Sequence, residues 1–107
     1  MIWYAVSDLQ AARDFYTGTL GFEEVGFDEG EGLLRLSRDD VDVAVTQGDG
    51  GETEAVAQVE VDDVKAEADR LRAAGVNVGV VLELPGTIRL VDVFDPDGNR
   101  LQLTQDM

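Results

Sequence analysis

The stretch Phe94–Leu103 has the sequence FDPDGNRLQL and carries the strongest structural signal in this chain. Asp95 precedes Pro96, which restricts Asp95 to extended conformations, while Pro96 itself has the fixed φ that suits the first corner of a turn. Gly98 tolerates the positive φ that such a turn requires. After the turn, leucines alternate with polar residues, as in a strand with one buried face. The stretch therefore predicts a β-hairpin whose second strand has a polar face available for binding.

Length and composition limit the kind of protein that this chain can be. Its 107 residues fit one domain, and 44% apolar residues supply an ordinary core. It has no run of about 18 apolar residues and no secretory signal at its start, so we expect a cytoplasmic protein without a membrane partner. With no cysteine and no histidine, thiolate and imidazole metal ligands are excluded, and so is the usual general base.

Acidic residues dominate the charge of the chain. There are 23 acidic residues against 8 basic ones, which gives a formal net charge of −15. Such a surface repels phosphate backbones, so we expect no nucleic acid partner. Because the acidic residues are spread through the chain, we interpret them as a halophilic adaptation to a salt-rich cytoplasm. The alternative is an acidic protein from an ordinary cytoplasm.

The order of predicted elements occurs twice. A strand at 2–6 leads to a helix capped by Ser7 or Asp8, and a strand at 57–61 leads to a helix after Asp62-Asp63. Three strands follow each helix, and they are predicted near 22–27, 32–37, 41–47, 77–83, 87–94 and 99–105. We therefore predict a single domain, 1–107, in which two modules share a core. Module one is 1–47, the linker is 48–54 and module two is 55–107.

Three groups of residues carry a family resemblance. They are Val6-Ser7-Asp8 with Phe15-Tyr16 and Leu20-Gly21-Phe22, Val61-Asp62 with Leu71 and Gly75-Val76, and Asp95-Pro96-Asp97-Gly98-Asn99. In this order they resemble the glyoxalase, bleomycin resistance protein and extradiol dioxygenase superfamily, also called vicinal oxygen chelate proteins. The resemblance covers nearly the whole chain. It implies an α+β fold of two βαβββ modules, each forming half of a cupped mixed sheet, often in a homodimer.

The resemblance also identifies where a metal would bind. Metal-using members hold a divalent ion in the cup through four side chains, and the corresponding positions here are near Met1, Ala44, Val56 and Gln102. None of these is His, Glu or Asp. A hard divalent ion needs several donors, some of them anionic, and one neutral amide does not hold it. We therefore predict no metal, no cofactor and no catalytic residue, and leave open whether the protein is an enzyme.

The alternation of side chains along each strand predicts what lines the cup. Seven residues are predicted on the face turned away from the helices, namely Trp3, Arg35, Thr46, Gln58, Glu60, Gln102 and Thr104. In a pocket, Trp3 would stack on a flat group and Arg35 would pair with a carboxylate or phosphate, while the amides would supply hydrogen bonds. The alternative is a solvated face, on which Arg35 and Glu60 neutralise each other and Trp3 packs between subunits.

Two functions remain after these exclusions. We prefer a metal-free protein that binds an unidentified small molecule, as the bleomycin resistance branch of the superfamily does. The alternative is a metal-dependent lyase or dioxygenase whose ligands have moved to nearby carboxylates, with Glu60 the best candidate. The predicted edge strands 2–6 and 57–61 favour a homodimer, because pairing across a two-fold axis removes exposed sheet edges.

Overall fold

The computed structural model describes residues 2–48 and 56–107. Module one contains β1 (Ile2–Val6), α1 (Leu9–Asp14), a π-helical turn (Phe15–Thr19), β2 (Glu23–Asp28), β3 (Leu33–Arg38) and β4 (Val41–Gln47). Module two contains β5 (Ala57–Glu60), α2 (Val64–Ala73), β6 (Asn77–Val78), β7 (Leu82–Leu84), β8 (Ile88–Phe94) and β9 (Arg100–Asp106). Within the described ranges, no helix has the length and apolar character needed to span a membrane.

Each module forms one mixed sheet. The strand order is β1-β4-β3-β2 in the first sheet and β5-β9-β8-β6 in the second, where β7 also pairs with β8. The first strand of each module lies parallel to the last, and the remaining pairs are antiparallel. This shared order confirms the predicted α+β fold of two βαβββ modules. Strands β1 and β5 each end their sheet, in agreement with the predicted edge positions.

Aspartates begin both helices. The carboxylate of Asp8 accepts a hydrogen bond from the backbone N–H of Ala11 at 3.1 Å, so Asp8, and not Ser7, is the cap of α1. The carboxylate of Asp63 accepts from the N–H of Ala66 at 3.1 Å in the same way. Each bond satisfies a backbone donor that the first turn of a helix leaves free.

The end of α1 departs from the sequence prediction of a regular helix. The N–H of Leu20 donates to the carbonyl of Phe15 at 3.0 Å, which is an i to i+5 bond and widens the last turn into a π helix. Tyr16 lies in this turn, and its side chain is fully buried. Its hydroxyl donates to Oδ2 of Asp95 at 2.9 Å, in the closing hairpin of the other module.

The hairpin predicted from Phe94–Leu103 is present and is held by Asp95. Oδ1 of Asp95 accepts from the N–H groups of Asp97 at 2.9 Å and Asn99 at 2.8 Å, and Gly98 has a φ of 86°. The amide of Asn99 donates to Oδ2 of Asp95 at 2.8 Å and to the carbonyl of Ala5 at 2.9 Å. A local turn thus also joins the second module to β1 of the first.

Tyr4 makes a second connection between the modules. Its hydroxyl donates to the carbonyl of Arg100 at 2.6 Å and accepts from the N–H of Ala57 at 3.0 Å. Burial raises the pKa of Tyr4 and, together with the nearby Asp95 carboxylate, raises that of Tyr16. Both hydroxyls therefore keep their protons at ordinary pH and act as donors. We call the contacts of Tyr4, Tyr16, Asp95 and Asn99 the module junction.

The core contains residues of both modules. Its largest fully buried side chains include Tyr4, Tyr16, Leu36, Leu71 and Leu101, all in one cluster. This cluster agrees with the expected shared core. The predicted linker 48–54 falls almost entirely on residues outside the described ranges, so the module bounds stay a prediction.

The predicted continuous strand at 77–83 is wrong. Strand β6 ends at Val78 and β7 begins at Leu82, so the edge of the second sheet is interrupted. At the interruption, the N–H of Gly79 still donates to the carbonyl of Asp92 at 2.8 Å, and a Cβ on Gly79 would lie 3.5 Å from Asp92 atoms. A side chain at position 79 would thus be in ordinary van der Waals contact with Asp92, and the backbone of Gly79 stays bonded to β8 across the interruption.

Candidate functional site

Each sheet has a face opposite the buried core, and we call this the cup face. On the first sheet, Trp3 pairs with Ala44 on β4, and Ala44 pairs with Arg35 on β3. Residues paired in this way lie on the same face of a sheet. Trp3 is 53% exposed and Arg35 is exposed, whereas Ala44 is fully buried between them. The row therefore places an indole and a guanidinium on either side of a small residue.

A second row of the first sheet contains Thr46. This residue pairs with Ala5 on β1 and with Leu33 on β3, and it is half-buried. Trp3, Arg35 and Thr46 therefore share the cup face of the first sheet, as strand alternation predicted. Among residues 2–48 and 56–107, neither Arg35 nor Glu60 forms an ion pair, so the suggested mutual neutralisation of these two side chains is not observed.

The second sheet carries a hydrogen-bonded line of side chains on its cup face. Gln58, Gln102 and Asp92 face one another across β5, β9 and β8. Nε2 of Gln58 donates to Oε1 of Gln102 at 3.0 Å, and Nε2 of Gln102 donates to Oδ1 of Asp92 at 3.1 Å. Nη1 of Arg100 lies 3.7 Å from Oδ2 of Asp92. We call Gln58, Gln102 and Asp92 the polar row.

Sequence reasoning missed Asp92. The strand 87–94 was expected, and within it Asp92 alternates with the buried Val91 and Val93. That alternation was the available signal, because it puts Asp92 on the same face as Gln102.

The same face becomes apolar toward the outer edge of the sheet. Glu60 pairs with Thr104, Thr104 with Leu90, and Leu90 with Leu82. Leu84 pairs with Ile88 in the next row. The side chains of Leu82 and Leu84 are 58% and 57% exposed. We call this group the apolar strip, and its members are Leu82, Leu84, Ile88 and Leu90. Sequence reasoning also missed the strip, although its residues alternate along their strands.

On the opposite face of β7, an ion pair holds the edge strand to β8. The carboxylate of Glu83 accepts from Nε of Arg89 at 2.7 Å and lies 3.4 Å from Nζ of Lys65. The hydrogen bond and charge of Arg89, followed by those of Lys65, lower the pKa of Glu83. The carboxylate is therefore charged at neutral pH, and it links the three-residue strand β7 to Arg89 on β8 and to Lys65 on α2.

Grooves lie between the modules beside β5. One has a volume of about 280 Å³ and is lined by Ile2, Asp40, Val41, Asp42 and Gln58. Another has a volume of about 360 Å³ and is lined by Asp39, Asp40, Val41, Gln58, Val59, Glu60 and Asp62. Gln58 and Glu60 thus meet the β3–β4 turn of module one. Trp3, Arg35 and Thr46 line none of these grooves, so the seven predicted residues fall into two sets, and their role as ligand contacts stays a prediction.

The four positions that correspond to metal ligands offer few donors. Met1 lies outside the described residues, Ala44 is apolar, and Val56 directly precedes β5. The amide of Gln102 is engaged on both sides by the polar row. Over the described ranges, no three Asp, Glu, His or Cys side chains are grouped closely enough to hold a metal ion. Among the described residues, Glu60 therefore has no set of neighbouring ligands with which to form a relocated site.

Comparison with known families identifies the fold. A model of the Glyoxalase/Bleomycin resistance protein/Dioxygenase superfamily matches residues 1–103. The chain belongs to this superfamily. The match confirms the resemblance carried by the closing hairpin and the repeated strand-helix order. No curated protein matches the chain.

Solved structures with the same fold include proteins from Streptomyces sp. CB03234. TnmS3, described as an antibiotic binding protein, is 28% identical, with a TM-score of 0.76 over 100% of this chain and 96% of that one. A glyoxalase/bleomycin resistance protein from the same organism is 29% identical, with a TM-score of 0.74 over 97% and 96%. An integron cassette protein from the Halifax Harbour sewage outfall metagenome is 20% identical, with a TM-score of 0.84 over 97% and 94%. The last likeness concerns the fold alone.

Proposed function

We propose that this protein binds a small organic molecule on its cup faces without using a metal ion. The observation that carries the proposal is the replacement of chelating side chains by Ala44 and by a Gln102 amide that is already hydrogen-bonded, beside a half-exposed Trp3. Neutral and apolar groups of this kind do not chelate a hard cation, but they suit an aromatic ligand. The likeness to an antibiotic binding protein supports this function.

The chemistry of the two faces indicates the kind of ligand. On the first sheet, an indole offers a stacking surface and Arg35 offers a cation without an ion-pair partner among the described residues. On the second sheet, the polar row offers hydrogen bonds and the apolar strip offers aliphatic contact. A flat molecule with polar substituents matches these surfaces better than a simple ion does.

A homodimer is part of this proposal. The two cup faces belong to different sheets, and both β1 and β5 end their sheets with an unpaired edge among the described strands. A second copy, related by a two-fold axis, would cover these edges and bring the face of one sheet toward that of its partner. Sedimentation at high salt should return a mass near twice 11.6 kDa, and a monomer mass at every concentration would contradict the dimer.

We also propose that the protein works in a salt-rich cytoplasm. A net charge of −15 supports a salt-rich cytoplasm, in which ions screen the repulsion between carboxylates, and opposes binding to nucleic acid.

Trp3 allows a direct test of binding, because it is the only tryptophan in the chain. Protein treated with a chelator should still bind members of a panel of aromatic antibiotics, with a saturable change in Trp3 fluorescence. Elemental analysis of untreated protein should find no stoichiometric divalent ion. A stoichiometric ion whose removal abolishes binding would favour the metal-dependent lyase or dioxygenase, and a panel without any saturable binding would contradict the proposal.

A further inference from the structure

We infer that Asp92 is a positioning residue that fixes the orientation of the Gln58 amide, so that the Gln58 side-chain oxygen is free to accept a hydrogen bond from a ligand. The inference deepens the proposed function and rests on it. It follows from the direction of two hydrogen bonds in the polar row and from the chemistry of a carboxylate.

Asp92 determines which way the side-chain amide of Gln102 points in the polar row. An ionised carboxylate accepts hydrogen bonds and donates none, so the group of Gln102 that lies 3.1 Å from Oδ1 of Asp92 must be its NH₂. The other carboxylate oxygen lies 3.7 Å from Nη1 of Arg100, which balances the charge of Asp92. Gln102 therefore has one orientation, with its NH₂ toward β8.

The orientation of the Gln102 amide in turn fixes that of the Gln58 amide on the neighbouring strand β5. With its NH₂ toward Asp92, Gln102 turns Oε1 toward β5, where Nε2 of Gln58 donates to it at 3.0 Å. The Gln58 amide is in turn oriented with Oε1 away from the row. Among the described residues, no group donates a hydrogen bond to this oxygen, and the Gln58 side chain is exposed. A free amide can flip, but this one is held at the end of a chain of two bonds.

The exposed end of the row is therefore an acceptor at a fixed place. Gln58 lines the groove between Ile2 and the β3–β4 turn, so a molecule that enters there comes within reach of the Gln58 amide. A ring N–H, a hydroxyl or an amide N–H would bind to this oxygen. A ligand that shields Oε1 from water without donating to it would leave this oxygen unpaired and lose affinity.

The test uses the matched pair of indole and 1-methylindole, which differ in the one N–H that would donate. Binding is followed by the side-chain amide signals of Gln58 and Gln102 in nitrogen-labelled full-length protein. Indole should bind about 3- to 10-fold more tightly than 1-methylindole, which is the value of one neutral hydrogen bond. The Gln58 signals should shift on binding of indole.

The variant Asp92→Asn tests the positioning role, because asparagine has both a donor and an acceptor and no longer sets the direction of the row. In this variant the free-protein signals of Gln102 and Gln58 should both move, and the preference for indole should fall to about 2-fold or less. Asp69→Asn removes the same charge from the exposed face of α2. This control should change neither the amide signals of Gln58 and Gln102 nor the preference for indole.

The outcomes separate this inference from the proposed function. Equal binding of both probes, or an unchanged preference in Asp92→Asn, overturns the inference while binding itself stands. Amide signals that do not respond to Asp92→Asn also overturn it. Failure of both probes to bind at any concentration overturns the inference, and failure of the antibiotic panel as well overturns the proposed function.

Discussion

The two tyrosines of the chain should make its stability fall steeply at alkaline pH. Tyr4 and Tyr16 are the only tyrosines, both are fully buried, and burial raises the pKa of each. In the unfolded chain a tyrosine ionises with a pKa of about 10. Their contribution to stability is therefore fully present below pH about 10 and is lost as the pH rises toward the raised pKa values of the folded state.

The magnitude follows from the number of protons released on unfolding. Above pH about 10, each tyrosine that is protonated in the folded state and ionised in the unfolded state lowers the free energy of unfolding by about 1.4 kcal/mol per pH unit. Two tyrosines give a slope of about 2.7 kcal/mol per pH unit. A small domain with a total stability of roughly 5 to 15 kcal/mol loses much of it within a few pH units.

The composition of the chain makes the alkaline loss of stability easy to assign to the tyrosines. It has no cysteine, and Lys65 is its only lysine, so few other groups titrate in the same range. Urea unfolding monitored by circular dichroism gives the free energy of unfolding at each pH, and phenolate absorbance reports ionisation. We expect phenolate to appear together with unfolding and not before it.

The variant Tyr16→Phe separates the two tyrosines. It removes the hydroxyl that donates to Asp95 at 2.9 Å, which should cost about 1.5 to 3 kcal/mol at neutral pH because the acceptor is charged. It should also halve the alkaline slope, since Tyr4 alone remains. A native protein whose phenolate forms near pH 10 without unfolding, or an unchanged slope in Tyr16→Phe, would refute this reasoning.

Three further predictions concern binding, charge and a helix cap. Trp3→Ala and Arg35→Ala should each weaken ligand binding by about 3-fold or more while the melting temperature stays within a few degrees, and Arg13→Ala on α1 is the matched control for lost charge. The melting temperature should rise between 0.01 M and 1 M potassium chloride, because the screening length falls from about 30 Å to about 3 Å, and a flat curve would contradict salt adaptation. Asp63→Ala should lower the free energy of unfolding by about 1 kcal/mol in urea titrations, and no loss would show that its bond to the N–H of Ala66 is not stabilising.

The fold was predictable because its signals are local. The turn at Pro96-Asp97-Gly98, the alternation of Leu101 and Leu103, and an aspartate before each helix all act within a few residues. The π-helical turn was not predictable, since Phe15 and Tyr16 fit ordinary helical spacing and the partner of the Tyr16 hydroxyl, Asp95, lies 79 residues away along the chain.

The candidate site was predictable only in part, because some of its contacts join residues that are far apart along the chain. Alternation along a strand assigns each residue to a face, and it assigned Trp3, Arg35 and Gln102 correctly to the cup faces. Alternation does not indicate which residues on neighbouring strands are opposite one another, so the hydrogen bond between Gln102 and Asp92 could not be predicted from the sequence. How the two sheets lie relative to each other depends on the module junction, whose partners are more than 50 residues apart along the chain.

Two opposing interactions act where the modules meet. Hydrogen bonds of Tyr4 and Tyr16 hold the modules together from the buried side. On the open side, Asp39 and Asp40 of the β3–β4 turn line the same groove as Glu60 and Asp62, and none of the described residues that line this groove is basic. Arg38 lines the neighbouring groove. Like charges across the first of these grooves repel each other.

Salt acts on only one of these interactions. Ions screen exposed carboxylates strongly and leave buried hydrogen bonds nearly unchanged. Added salt should therefore favour the arrangement in which the two modules are joined by the module junction. The effect should then be strongest at the N–H of Ala57, which donates to the Tyr4 hydroxyl across the module junction. Added salt should slow hydrogen exchange at this N–H more than at N–H groups in the centre of either sheet. The reason is that separation of the modules exposes the Ala57 N–H while the strands of each sheet stay paired.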